Sequence, residues 1–134
     1  MRLTTKSEYA LLALVYIARA GKKNGYIKVE DICKKYGVSK KYLEQILSSL
    51  KQNRYVVTRR GASGGYKLVR PAEKISVAEV IRLMDGALAP TLAVSKYFYS
   101  STSLEKEKKI LSFFAEIRDF ISKKTEKLKI SDLV

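Results

Sequence analysis

The spacing of small, glycine and apolar residues between Ile32 and Leu50 is the feature that most limits how this chain can fold. Cys33 puts a small side chain midway along one helical segment, where a second helix can cross closely. Gly37 follows four residues later, where a tight turn needs a left-handed backbone. Apolar residues then continue into the next segment at helical spacing: Val38, Leu43 and Ile46. This pattern predicts two helices joined by a short turn, a helix-turn-helix.

Capping residues place the first three predicted helices along the chain. A capping box over residues 5–8 begins a first helix, which we expect to stop at Gly21. The second helix is predicted over residues 29–36, with two acidic residues in its first turn. The third is predicted over residues 40–53 with Ser39 as its N-cap, and it has one apolar face and one polar face.

The stretch TRRGASGGYKLVRP, residues 58–71, places two arginines before a loop that contains three glycines. The β-rich runs on either side, residues 55–59 and 66–69, predict a hairpin. The loop is neither a Walker loop nor a G-x-G-x-x-G fingerprint, and a strand follows it, so we do not expect a nucleotide site. A hairpin directly after a helix-turn-helix predicts a winged helix-turn-helix, in which the third helix enters the DNA major groove. Glycines that serve only a tight turn are the alternative interpretation.

Two further helices are predicted after the hairpin. Ser76 and Glu79 form a second capping box, which begins a helix that ends near Asp85. Residues 87–102 are expected to be irregular, and a long helix is predicted over residues 104–127. Its apolar stripe is wider than one small core needs, so we expect it to pack against a second surface.

The charge of the chain is unevenly distributed. The net charge is +14, and residues 1–70 hold 16 of the 27 basic residues but only 4 of the 13 acidic ones. This excess indicates an anionic partner, either nucleic acid or a membrane surface, that binds the first half. The apolar run over residues 9–18 is too short to span a bilayer. It imitates a secretory signal, but Glu8 abuts the run and Arg19 interrupts the cleavage site, so we expect neither a signal peptide nor a membrane-inserted segment.

The cysteine and histidine content excludes several classes of function. Cys33 is the only cysteine and the chain has no histidine, so a disulfide framework is excluded. This composition fits a reducing compartment, and we expect the chain in the cytoplasm. One chain cannot supply the ligands of a zinc or iron–sulfur site, nor a Ser-His or Cys-His nucleophile pair. We therefore expect neither an enzyme nor a metal cofactor.

Several motifs together resemble the Rrf2 family of bacterial transcription regulators. They are MRLTTKSEYALLALVYIA, the segment GVSKKYLEQ…RRGASGGYKLVRP, ISVAEVIRLMDG and the closing KISDLV. The resemblance implies a mainly α protein with a winged helix-turn-helix DNA-binding domain over residues 1–86. Residues 87–134 then form a linker, a long dimerisation helix and a C-terminal tail. It also implies a homodimer that binds an imperfect palindrome in double-stranded DNA, with an interface at Leu104, Leu111, Phe114, Ile117 and Ile121.

The resemblance also implies which residues contact DNA. Glu44 lies in the family's YLEQ motif and Arg60 in its RG motif, and both are implied to contact bases. Lys41 stands where some relatives have a small polar residue, and it can contact guanine or phosphate. The remaining implied contacts position the protein on the duplex: Lys6, Ser39, Lys40, Tyr42, Gln45, Arg59, Ser63, Gly64 and Tyr66.

The departure from the family lies in the sensor region. Cluster-binding members carry three cysteines before the long helix, whereas residues 91–109 here contain none. Cys33 lies outside that region at a core position, so a family-type iron–sulfur cluster is not expected. The chain resembles cluster-free members, which respond to an effector small molecule or a partner protein. Residues 97–99, a Tyr-Phe-Tyr cluster, either line a ligand pocket or pack in the dimer.

We expect the chain to repress transcription, and two other functions remain open as alternatives. A winged helix can also act as a protein–protein interaction module, for example one that regulates a metabolic enzyme. Non-specific binding to the nucleoid or to RNA is the other alternative, and it predicts steep salt dependence without a preferred sequence.

Overall fold

The computed structural model describes the backbone of residues 1–134 and the side chains of residues 1–21 and 25–134. The helices are α1 (Thr5–Asn24), α2 (Val29–Tyr36), α3 (Lys40–Gln52), α4 (Val77–Asp85) and α5 (Lys108–Lys127). The strands β1 (Val56–Arg59) and β2 (Gly65–Leu68) form one antiparallel hairpin between α3 and α4. This order confirms the expected mainly α, winged helix-turn-helix fold.

The turn between α2 and α3 has the geometry that the sequence predicts. Gly37 adopts the left-handed conformation, with φ 66° and ψ 37°, and its N–H donates to the carbonyl of Cys33 at 2.8 Å. A residue with a side chain is disfavoured in that conformation, which explains the glycine. Ser39 then caps α3, because its hydroxyl accepts from the N–H of Tyr42 at 3.4 Å.

The predicted N-terminal cap and the predicted C-terminal end of α1 are both wrong. Thr4 is the N-cap of the helix, and residues 5–8 do not form a capping box. The group that caps the helix instead is the carboxylate of Asp85 in α4. Asp85 accepts from the N–H of Thr4 at 2.8 Å and from the hydroxyl of Ser7 at 2.6 Å, and it also accepts from the Thr4 hydroxyl. At the other end the helix runs past Gly21 to the C-cap Gly25, whose φ is +70°.

A third backbone segment extends the hairpin. The two strands pair in antiparallel register from Val56 opposite Leu68 to Arg59 opposite Gly65. On the other side of β2, Ile27 and Tyr66 exchange two backbone hydrogen bonds of 2.7 Å. Gly65 permits this approach, because a Cβ at its position would lie 2.4 Å from the Ile27 carbonyl oxygen. The wing is therefore anchored to the segment between α1 and α2.

Helix α4 has two apolar sides that join the two halves of the chain. Val80 lies in the main core with residues of α1, α2 and α3, whereas Val77, Ala78 and Ile81 form a second cluster against which Ile121 of α5 packs. The C-terminal tail returns to the main core, where Ile130 is fully buried. The tail therefore packs on the 1–86 segment, and the domain boundary after residue 86 remains a prediction.

The segment before α5 is less irregular than expected. Short 3-10 helices occupy Leu92–Val94 and Ser103–Lys106, and the α-helix begins at Lys108 rather than near residue 104. The Thr102 hydroxyl accepts from the N–H of Leu104 at 3.3 Å, which starts the second short helix. Across the described part of the chain, no helix has the length and apolar character needed to cross a membrane.

Candidate nucleic-acid interface

Helix α3 presents a polar face to solvent on the side opposite its apolar face. Its apolar residues, Leu43, Ile46, Leu47 and Leu50, are buried in the main core. The exposed side chains on the other face line an open groove of about 500 Å³: Lys41, Glu44, Gln45, Ser48 and Gln52, with Ser49 beside them. A helix held rigidly by its core face, with donors and acceptors on the free face, suits the reading of base edges.

A lysine at the start of α3 lies between two carboxylates. The ammonium of Lys40 lies 2.9 Å from Oε1 of Glu30 in α2 and 3.9 Å from Oε1 of Glu44 one helical turn on. The hydrogen bond between Lys40 and Glu30 raises the pKa of the lysine and lowers that of the carboxyl. Lys40 therefore stays charged, and it links α2 to a residue expected to contact bases.

Three of the predicted contacts meet where α1, α3 and α4 come together. Lys6, Tyr42 and Gln45 line a cavity of about 220 Å³, whose other walls are Ile46, Ser49, Leu83 and Met84. The ring of Tyr42 packs edge-on against Tyr9, with centroids 5.4 Å apart, and its hydroxyl lies 3.2 Å from Oγ1 of Thr5. The tyrosine is thus held between α1 and α3, and Lys6 brings a cation to the same edge.

The two wing arginines differ in how they are held. The guanidinium of Arg59 donates to the carbonyl of Ser63 at 2.9 Å and lies 4.3 Å from the ring centroid of Tyr26. Arg60 is exposed, and none of the described residues forms a hydrogen bond or ion pair with its guanidinium. The side chain of Arg59 is consequently held in place without DNA, whereas the side chain of Arg60 is free to enter a DNA groove.

Two of the predicted wing contacts have packing roles that the sequence did not indicate. Gly64 is buried, its N–H donates to Gly61, and a Cβ there would lie 2.1 Å from the Arg59 carbonyl oxygen. Tyr66 is half-buried against the main core, and burial raises its pKa, helped by the charge of Glu44. Both residues close the hairpin, and their contacts with DNA remain predictions.

Sequence reasoning missed Tyr26 and Glu30, which hold Arg59 and Lys40 respectively. Neither has a local signal, because each meets its arginine or lysine across two elements that are separated along the chain. The bridge between Ile27 and β2 brings Tyr26 to the wing, and the tight α2–α3 turn brings Glu30 to the start of α3. Only the tertiary arrangement identifies them.

An exposed apolar stripe runs along α5. The predicted dimer residues are half-buried within their own chain: Leu104, Leu111, Phe114, Ile117 and Ile121. The neighbouring positions are more open, with Ile110 at 44%, Phe113 at 57% and Phe120 at 65% exposure. These three follow one side of the helix with Ile117 at spacings of three and four residues. Large apolar side chains in such a row need a partner surface.

The donor set of this chain differs from that of the relatives that bind an iron–sulfur cluster. Residues 91–109 contain neither cysteine nor histidine. No group of three or more metal-ligating side chains occurs among the residues whose side chains are described. Burial raises the pKa of the Cys33 thiol, as does the charge of Glu30, which disfavours the thiolate that binds iron. The residues present do not fit a cysteine-ligated cluster.

The helix-turn-helix, the anchored wing and the exposed polar face of α3, in the basic half of the chain, define a winged-helix protein of the nucleic-acid-binding type. The family model described as Rrf2, iron-dependent transcriptional regulator, matches residues 3–134. The chain belongs to the Rrf2 family.

Relatives and solved structures agree with this membership. The HTH-type transcriptional regulator IscR of Xenorhabdus nematophila is 41% identical over 96 residues, which are 72% of this chain and 58% of IscR. The chain spans a little over half the length of the curated relatives that it matches. CymR, the global cysteine regulator of B. subtilis, superposes with a TM-score of 0.79 at 25% identity, over 99% of this chain and 95% of CymR. Staphylococcus aureus CymR gives a TM-score of 0.76 at 27% identity, over 97% and 95%.

Proposed function

We propose that the chain is a cytoplasmic, sequence-specific regulator that represses transcription by binding double-stranded DNA. The observation that carries the proposal is the exposed face of α3 beside a wing with two arginines, in the half of the chain that holds most of the positive charge. Base edges supply the donors and acceptors that Glu44 and Lys41 can pair with, and phosphates attract the surrounding cations.

In this proposal the contacts divide into readers and positioning groups. Glu44 accepts from the N4 amino group of cytosine in the major groove. Arg60 enters the neighbouring groove, where it donates to guanine or lies in a narrow minor groove. The other predicted contacts position the duplex, with Lys6 and Tyr42 at the α1–α3 edge and Arg59 at the wing.

The regulator acts as a homodimer through α5. The exposed side chains of Ile110, Phe113 and Phe120 supply an apolar stripe that a second copy of the helix can cover. A two-fold axis at this helix would repeat the α3 surface, so each subunit would read one half of an imperfect palindrome.

The signal is sensed without a family-type cluster. The donor set at residues 91–109 supports this, since carboxylates, hydroxyls and aromatic rings stand there in place of thiolates. We infer that an effector small molecule or a partner protein acts on the C-terminal segment. Anaerobically purified protein is therefore expected to be colourless, and a stoichiometric visible iron–sulfur absorbance would contradict the inference.

Selection of bound genomic fragments in vitro tests the proposed function. The protein is expected to enrich a short palindromic motif, to protect it in footprinting and to block transcription from a promoter that contains it. If no motif is enriched and the affinity depends on the salt concentration but not on the sequence, non-specific nucleic-acid binding is supported instead. A nuclease-resistant complex with a protein, without DNA binding, would support the interaction-module alternative.

A further inference from the structure

Tyr26 lies next to the wing although it precedes α2 in the chain. It follows Gly25, the C-cap of α1, and directly precedes Ile27, which exchanges two backbone hydrogen bonds of 2.7 Å with Tyr66 of β2. The antiparallel bridge between Ile27 and Tyr66 holds the backbone next to Tyr26 beside the hairpin. The position of the ring is therefore fixed by the backbone of the wing.

Two cations of the hairpin lie over the ring of Tyr26. The guanidinium carbon of Arg59 is 4.3 Å from the ring centroid, and the ammonium of Lys67 is 5.8 Å from it. Both distances lie within the range in which an aromatic face attracts a cation. The same Arg59 guanidinium donates to the carbonyl oxygen of Ser63 at 2.9 Å. The ring and the wing loop together give an exposed arginine one defined orientation.

The register of the hairpin leaves room for this contact. Arg59 lies directly opposite Gly65, and side chains of directly opposite residues point to the same face of a sheet. Because Gly65 has no side chain, Arg59 can cross β2 and reach the ring beyond it. The glycine thus serves both the Ile27 bridge and the path of the arginine.

We propose that Tyr26 is a positioning residue for DNA-backbone binding, which holds Arg59, and more loosely Lys67, in place to contact a phosphate beside the wing. This inference rests on the proposed function in that it takes duplex DNA as the partner. An arginine fixed before binding loses less conformational freedom when it meets the phosphate, so the ring raises affinity without touching DNA. The contact concerns the backbone, so its effect extends to any duplex sequence.

A double-mutant cycle tests the role of Tyr26. Two labelled duplexes are titrated at several salt concentrations: one carries a selected fragment, and the other is a shuffled sequence of the same composition. The proteins are the full wild-type chain and the variants Tyr26→Phe, Tyr26→Leu, Arg59→Ala and Tyr26→Leu/Arg59→Ala. Tyr26→Phe keeps the ring and should bind like the wild type. Tyr26→Leu should weaken binding to both duplexes by about threefold to fivefold, the size of an exposed cation–π contact. Arg59→Ala should make the fall of log affinity with log salt concentration less steep by about 1, the contribution of one phosphate contact.

The cycle separates the outcomes. Tyr26→Leu should cause no further loss once Arg59 is alanine, apart from a small remainder through Lys67. An equal loss in both backgrounds, or a loss with Tyr26→Phe as large as with Tyr26→Leu, would overturn the role. A wild type that binds both duplexes equally contradicts sequence-specific regulation but leaves the Tyr26 comparison intact on the shuffled duplex. Absence of binding to either duplex contradicts both proposals.

Discussion

The hydroxyl of Tyr55 donates a 2.7 Å hydrogen bond to Oε1 of Glu79, and this bond joins the start of the wing to α4. The same oxygen accepts from Arg70 at 2.6 Å, while Oε2 accepts from the N–H of Ser76 at 2.9 Å in the confirmed capping box. Burial, and then the hydrogen bond to Glu79, raise the pKa of Tyr55 to about 12. One carboxylate thus fixes the wing, the loop after it and α4 relative to one another.

Removal of the Tyr55 hydroxyl is expected to destabilise the fold. Tyr55→Phe should lower the free energy of unfolding by about 1–2 kcal/mol, because a hydrogen bond to a charged acceptor is lost in a half-buried site. Urea denaturation measures the difference. Tyr16→Phe is the matched control, since Tyr16 packs against Tyr36 at 6.1 Å and its hydroxyl has no hydrogen-bond partner among the described side chains. Equal losses in the two variants would contradict a specific role for the Glu79 bond.

Stability at acid pH should depend on Asp85. Burial alone would raise the pKa of Asp85, but the hydrogen bonds from Ser7 and Thr4 outweigh it and the pKa is lowered. A carboxyl with a lowered folded pKa contributes stability above its unfolded pKa of about 3.9, and the contribution disappears as pH falls through the folded value. Asp85→Asn should therefore cost about 2 kcal/mol at neutral pH and progressively less in acid.

The measurement is the free energy of unfolding of wild type and Asp85→Asn between neutral pH and about pH 3, where the linked protonation occurs. Glu73→Gln, which removes an exposed carboxylate that has no hydrogen bond or ion pair with the described side chains, controls for the change in net charge. A difference between wild type and Asp85→Asn that stays constant with pH would show that the charge of Asp85 does not stabilise the α1 N-terminus.

Local signals explain which parts of the fold can be predicted from the sequence. Gly37, Ser39 and the capping box at Ser76 each act within a few residues, and the structure confirms the elements they delimit. The capping box predicted for α1 is wrong because the carboxylate that caps the helix, Asp85, is 78–81 residues away along the chain. Local rules favoured a Thr–Glu pair there, and the tertiary contact replaced it.

The candidate interface divides in the same way. The polar face of α3 follows from helical periodicity, so Glu44 and Gln45 could be placed in advance. The contacts of Tyr26 with Arg59 and of Glu30 with Lys40 join separate elements, and helical or strand periodicity carries no signal for them. The resemblance to the family added the wing residues but not the groups that hold them.

Gly64 is expected to tolerate no side chain. A Cβ at this position would lie 2.1 Å from the backbone oxygen of Arg59, so Gly64→Ala must open the hairpin. We expect a loss of at least about 1 kcal/mol of folding stability, with weaker binding to every duplex. Gly21→Ala is the control, because among the described residues no atom beyond its chain neighbours and its own helix backbone lies within 4 Å of its Cβ position in α1. That change should be neutral or stabilise by about 0.5–1 kcal/mol. Thermal unfolding compares the two, and equal stability would contradict the close approach.

The apolar stripe of α5 predicts the oligomeric state. Phe113→Glu and Phe120→Glu each place a charge in the proposed dimer surface and should shift the protein to monomer, with weaker binding to the palindromic fragment. Ser112→Glu adds the same charge at an exposed position away from the stripe and should remain dimeric. Light scattering after size exclusion measures the mass. A wild-type monomer, or phenylalanine variants that stay dimeric, would place any interface elsewhere.

The most direct test of the central claim is the sequence preference of two single variants, Glu44→Ala and Arg60→Ala, measured against a panel of single-base changes in the selected fragment. Each variant should lose discrimination at its own base position, by about 1–3 kcal/mol, and keep it at the others. Lys51→Ala, at the end of α3 and outside the expected contacts, should leave the preference unchanged. If both reader variants kept the affinity and the discrimination of the wild type, α3 and the wing would not read DNA sequence and the proposed function would be wrong.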